Sequence, residues 1–230
     1  NPAMALTFTI IPVLTTLIGA LLALWRRPGP LFKAGVQHLA AGVVFATAAA
    51  ELLPDILHDA SPLTTFFGGA AGVLAMLAIR KVEDLVEGPL GMITTVGVDI
   101  LVDGLVLGIG LATDLRTAIL LTIALSLEVL LLGLTSVLAL ETVIRSVGRR
   151  FLIICGLALL LPVGVLMATP VAALPEQARL GLLTFGLVAL LFLVTEELLV
   201  EAHVTEERSW VTALFFAGFL GLMLADELMR

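Results

Sequence analysis

Cysteine is almost absent from this 230-residue chain: Cys155 stands alone, which excludes an internal disulfide and any cysteine-based metal cluster. Charge is scarce too. Only 13% of residues are charged and 60% are hydrophobic, far from the balance of a water-soluble domain. Lys and Arg number 12 against 19 Asp and Glu, and no basic patch carries interleaved aromatics, so nucleic acid is excluded as a partner. The three histidines, His38, His58 and His203, all fall near the ends of apolar stretches. No His-Glu-x-x-His motif and no Ser/His catalytic pattern is present. An intramembrane aspartyl protease needs Gly-x-Gly-Asp, but Gly108-Ile-Gly110 is followed by Leu111. These absences argue against an enzyme.

What the chain has instead is long apolar sequence. Eight windows, at about 5–25, 34–57, 62–80, 90–113, 117–140, 150–170, 179–201 and 209–229, each approach the roughly 20 residues that cross a bilayer as a helix. None shows the alternation of a barrel strand, so the spans are helical. The first stretch is too long for the apolar core of a signal peptide and reads as a retained span. The expectation is one all-α, polytopic transmembrane domain over 1–230, an eight-helix bundle, multi-pass in a cell's inner (plasma) membrane. Arg26, Arg27, Lys33, Arg80, Lys81, Arg145, Arg149, Arg150 and Arg208 follow the odd spans, against Arg116, Arg179 and Arg230 on the other side. That asymmetry puts both termini outside the cytoplasm. Gly42, Ala46 and Ala50, Gly68 and Gly72, and Gly104 and Gly108 recur at spacing four, which permits close helix contact. Homodimers are common for such bundles, but no interface signature is visible.

Acids inside the spans carry the functional signal. An acid at the bilayer centre costs about 2.5–3.5 kcal/mol. Asp99 and Asp103 sit one turn apart, on one face of span 4. Glu128 lies mid-span in the neighbouring span 5, about ten residues from the shared loop like Asp103, so with a rise of about 1.5 Å per residue the depths match. Three ionised acids together repel, so bound protons or a divalent cation are expected, with Ser126 able to add a neutral oxygen. Oxygen-only ligands suit Mg²⁺, Mn²⁺ or Ca²⁺. Glu51 and Asp55 flank Pro54 at the outer end of span 2. Glu196, Glu197 and Glu201 descend the inner half of span 7 toward His203. Asp59, Glu83, Asp84, Glu87, Asp114, Glu176, Glu206 and Glu207, in loops or at span ends, read as solvated.

Four of these stretches, in order, resemble the bacterial branch of the ZIP family of divalent metal transporters. Span 2 ends Glu51-Leu-Leu-Pro-Asp55, similar to the family's His-Leu-Leu-Pro-Glu. Span 4 reads Asp99-Ile-Leu-Val-Asp103-Gly-Leu-Val-Leu-Gly, similar to His-Asn-x-x-Asp/Glu-Gly-Leu-Ala-Leu-Gly. Span 7 reads Glu196-Glu-Leu-Leu-Val-Glu-Ala-His203, similar to Glu-Glu-Leu-Ile-Pro-Glu-Ala-His, and Gly218 to Asp226 resembles the family's Gly-Phe-x-x-Met-Met-x-Leu-Asp. The departures fall at the site. Asp99 replaces a histidine and Ile100 an asparagine. Leu161-Pro162 stands where relatives carry Glu-Pro, Val44 stands for a methionine, and span 5 keeps only Glu128 as an acid. The resemblance implies a single site of Asp99, Asp103 and Glu128, not a two-metal centre. It implies an entrance at Glu51 and Asp55 and an exit along Glu196, Glu197, Glu201 and His203. It further implies a scaffold of spans 2, 3, 7 and 8 and a moving half of spans 1, 4, 5 and 6. The cargo would be a divalent ion, zinc by family with Mn, Mg, Fe, Cd or Co as further candidates, moved toward the cytoplasm by alternating access; carboxylate protonation could couple proton movement to it. The alternative is a transport-inactive homologue serving as a metal-binding sensor or structural subunit.

Overall fold

The computed structural model describes residues 2–86, 88–204 and 208–229. Helix dominates, and no strand occurs among the described residues. Among the described residues, eight helices are long and apolar enough to cross a bilayer: α1 (Ala3–Trp25), α2 (Pro30–Asp59), α3 (Pro62–Leu85), α4 (Gly88–Thr113), α5 (Leu115–Thr142), α6 (Val147–Ala173), α7 (Glu176–Ala202) and α8 (Ser209–Leu228). Each coincides with one apolar window of the sequence. Connections of a few residues make consecutive helices antiparallel, so the bundle has one Lys/Arg-rich end, here the basic end, and an opposite end.

Local chemistry sets the helix limits. Ser61, Asp114 and Ser146 each precede a helix and accept a backbone N–H from Thr64, Thr117 and Arg149. Gly88, at φ +80°, opens α4 in a conformation that side chains disfavour. Two helices widen into a π-turn, Ala48–Leu52 in α2 and Leu193–Leu198 in α7. In each, the next N–H reaches back five residues, Leu53 to Ala48 and Leu199 to Val194. Pro54 explains the first, because it supplies no N–H and its ring crowds the preceding turn. Pro162 likewise interrupts α6 at Leu159.

The helices pack as four tight pairs: α1 on α5, α2 on α8, α3 on α7 and α4 on α6. Glycine permits each approach. A Cβ on Gly133 would lie 2.0 Å from the Thr16 carbonyl oxygen, and one on Gly42 1.9 Å from that of Phe215. Gly104 meets Leu161 and Gly68 meets Gly181 in the same way. The pairs join into two groups, α1, α4, α5 and α6 against α2, α3, α7 and α8, which meet chiefly where α2 crosses α5 and where α4 faces α7 and α3. Helix α5 is central, with 72% of its apolar window buried, whereas α3 is peripheral at 11%. Leu14, Ile18, Phe66, Phe67, Leu74, Leu220 and Leu224 face outward and exposed, as a lipid-facing surface requires.

Candidate functional site

The seam between the two helix groups holds the acids. Helix α4 presents Asp99 and Asp103 one turn apart, α5 presents Glu128 and α7 presents Glu197. All four line one small cavity of about 20 Å³, with Met76, Val106 and Leu190 among its apolar walls. That is close to the room for a single water or ion. Glu128 is 1% exposed; no N–H or hydroxyl donor reaches either of its carboxylate oxygens, and its hydrogen-bond contact is with the Asp103 carboxyl, which needs a proton on one of the two. Asp103 is buried with it, and no N–H or hydroxyl donor reaches its Oδ2. Buried oxygens of this kind cost several kcal/mol when charged and alone, by order of magnitude, so protons or a cation must accompany them. Among the described residues, no Lys or Arg lines this cavity.

A larger cavity, about 380 Å³, lies toward the basic end. Its wall includes Asp99, Glu83, Glu196, Glu197 and Glu201, with Arg80 as the basic member. Asp99 and Glu197 belong to both cavities and form the neck between them. Such a predominantly acidic, low-dielectric funnel concentrates cations. Arg80 is engaged by Glu196 at 2.7 Å, and Gln37 Nε2 donates to Glu201 at 2.7 Å. In the opposite direction the path is filled: Ala48, Leu52, Leu107, Leu121 and Leu125 are each at most 1% exposed.

Beyond that plug lies a second polar cluster. Arg116 of α5 stands 3.7 Å from Glu51 of α2 and donates a direct hydrogen bond to Asp226 of α8. The Thr117 hydroxyl lies 2.7 Å from Asp114 and 3.5 Å from Glu51. One guanidinium therefore ties α5 to α2 and α8, across the seam.

The structure thus brings together Asp99, Asp103 and Glu128, and adds Glu197, which the sequence reading placed on an exit path. Ser126 is buried but does not line the cavity, because residues two apart on a helix face different ways. Glu51 is occupied by Arg116, while Asp55, half-buried, is one turn further out. Glu196 and Glu201 line the larger cavity, and His203 sits against His38, ring centroids 5.2 Å apart. Two acids read as solvated have other roles: Glu83 lines the larger cavity and Asp114 caps α5. Glu87, Glu206 and Glu207 lie outside the described residues. The Arg116 cluster went unread in the sequence; its signal was one of three arginines on the side poor in basic residues.

Among the described residues, no three His, Cys, Asp or Glu side chains stand in a geometry that would itself hold a metal ion. The side chains around the small cavity have the donor chemistry of a hard-cation site without coordinating distances. Comparison with models of known families finds no match, and none of the curated proteins matches the chain.

Proposed function

We propose that the chain carries a divalent cation across the membrane, toward the cytoplasm, through a carboxylate site at Asp103 and Glu128 with Asp99 and Glu197 at its neck. The observation that carries this reading is the fully buried Glu128, which no N–H or hydroxyl donor reaches and whose polar contact is a second buried carboxyl, Asp103, in a cavity of ion size. A packing role does not account for it, since an apolar side chain would fill the same place at lower cost.

Alternating access fits the division into two helix groups. Asp99, Asp103 and Glu128 sit on one group and Glu197 on the other, so relative movement would break and remake the ligand set. In this conformation the site adjoins the larger cavity at the basic end, which by the Lys and Arg distribution is the cytoplasmic end, with both termini outside. The cation would have released inward, and protons would replace it on the carboxyls; that exchange couples proton movement to metal movement. The resemblance to ZIP transporters points the same way, and the plasma membrane is the proposed location. The all-oxygen ligand set favours Mn²⁺ or Mg²⁺ over the zinc that the resemblance suggests, with Fe²⁺, Co²⁺ and Cd²⁺ between them.

Carbodiimide labelling tests the reading in the folded protein. Dicyclohexylcarbodiimide, an apolar reagent, should modify Glu128 and Asp103, and a transported divalent ion should protect both. Labelling indifferent to every divalent ion would remove the site, and with it the transport reading.

A further inference from the structure

At the basic end, far from the acids of the central seam in sequence, α1 stops at an exposed tryptophan. Trp25 is its last residue and is 85% exposed. Leu14, Ile18 and Leu22 precede it at helical spacing and are exposed as well, so one apolar stripe runs along the outside of α1 and ends at Trp25. The stripe leads into a groove of about 400 Å³. Leu22 and Trp25 of α1, the turn at 26–29, Phe32 of α2 and Leu134 of α5 form its walls. Phe32 is exposed like Trp25, and among the described residues no acid lines the groove.

The charge of the same groove is a second, independent feature. Arg26 and Arg27 both belong to its wall and both are exposed. Among the described residues, Arg26 has no ion pair and no side-chain hydrogen bond. Arg27 donates to Glu141 at 2.5 Å, but Glu141 also stands 3.7 Å from Arg150, so one carboxylate serves two guanidiniums. An excess of positive charge therefore remains where the apolar stripe ends. That order, apolar stripe, aromatic ring, guanidinium, follows the order of a lipid's parts from acyl chain to phosphate. Guanidinium matches phosphate oxygens with paired hydrogen bonds. A soluble phosphate would use the arginines and leave the stripe bare. A zwitterionic lipid would use the stripe, but its own ammonium offsets the attraction. A lipid of net negative charge uses both.

We propose that this groove binds an anionic phospholipid, its phosphate on Arg26 and Arg27 and its acyl chain along Trp25, Leu22 and Ile18. Basic recesses between membrane helices recognise anionic head groups by this chemistry. The groove takes walls from α1 and α5 of one helix group and from α2 of the other, so the bound lipid touches both groups at the basic end. Its binding requires neither ion transport nor an occupied carboxylate site.

The chain has two tryptophans and no tyrosine, so Trp210→Phe leaves Trp25 as the fluorescent reporter. The full chain carrying that change is reconstituted in phosphatidylcholine bilayers. Phosphatidylglycerol or phosphatidylcholine with brominated chains, which quench tryptophan on contact, is then titrated in. Brominated phosphatidylglycerol should quench Trp25 at a lower mole fraction than brominated phosphatidylcholine. Arg26→Gln should cut that preference about 5-fold, and Arg26→Gln with Arg27→Gln should remove most of it. Arg26 is exposed and without a side-chain partner among the described residues, so its variant does not threaten the fold. With both arginines in place, raising the salt concentration should lower the preference by screening. Equal quenching by the two lipids, or a preference that survives the double variant, would overturn the proposal. So would a Trp25 shielded from both lipids, as a second copy of the chain seated on this face would make it. Each of these results leaves the carboxylate site and the transport reading untouched.

Discussion

Arg116→Gln should open the end of the bundle that this conformation closes. Its guanidinium bridges α5 to Glu51 on α2 and Asp226 on α8, with side-chain exposures of 34%, 7% and 1%. Breaking one partner of a buried pair costs about 3–5 kcal/mol, because the remaining charge is stranded. Arg116 is a third exposed, so solvent screening lowers this to about 2–3 kcal/mol. The cost falls on the closed arrangement, since opening hydrates both carboxylates. At about 1.4 kcal/mol per tenfold, the open population should rise about 30–150-fold. The reporter is Val106→Cys in a Cys155→Ser background. Val106 is 2% exposed and lines the small cavity. A membrane-impermeant thiol reagent is added on the Arg116 side, and the labelling rate follows the open population. Adding Glu51→Gln to Arg116→Gln removes the stranded Glu51 charge and should bring the rate back toward wild type. An unchanged rate in the single variant, or no return in the double, would refute the reasoning.

Three further outcomes follow from packing and from the acidic site. Gly133→Ala drives a Cβ to 2.0 Å from the Thr16 backbone, which cannot rotate away, so thermal unfolding in detergent should show a loss of about 1–3 kcal/mol. Gly221→Ala, with nothing within 4 Å, should be neutral or stabilising by up to about 1 kcal/mol in the same assay. Glu128→Met should stabilise the metal-free protein by about 1–4 kcal/mol, because it replaces one of two buried, mutually contacting carboxyls by apolar atoms. The same variant should abolish any thermal shift caused by Mn²⁺; a preserved shift would place the ion elsewhere.

The spans were legible because length and apolarity in lipid leave the helix as the available solution, and their ends moved by only a few residues. The convergence of Asp103 and Glu128 was legible for a related reason: a short loop fixes the relative depth of α4 and α5. What escaped was everything set by rotation about the helix axes and by departures from the regular helix. The π-turn in α7 aims Glu197 into the central cavity, and no local residue type announces such a turn. Ser126 fell on the wrong face of α5 for the same geometric reason. Pairing across the seam escaped as well, since Arg116, Glu51 and Asp226 lie in three separate spans and nothing in their spacing couples them. The histidine pair was visible only as two isolated residues near span ends; the packing of α2 against α7 makes them neighbours.

The measurement closest to the central claim is uptake of Zn²⁺, Cd²⁺, Mn²⁺, Fe²⁺, Mg²⁺ and Co²⁺ by proteoliposomes, comparing wild type with Asp103→Ala. The account predicts uptake of at least one divalent ion by wild type, and its loss in a variant that still folds and inserts. Equal uptake by the two proteins, or none by correctly inserted wild type, would contradict it.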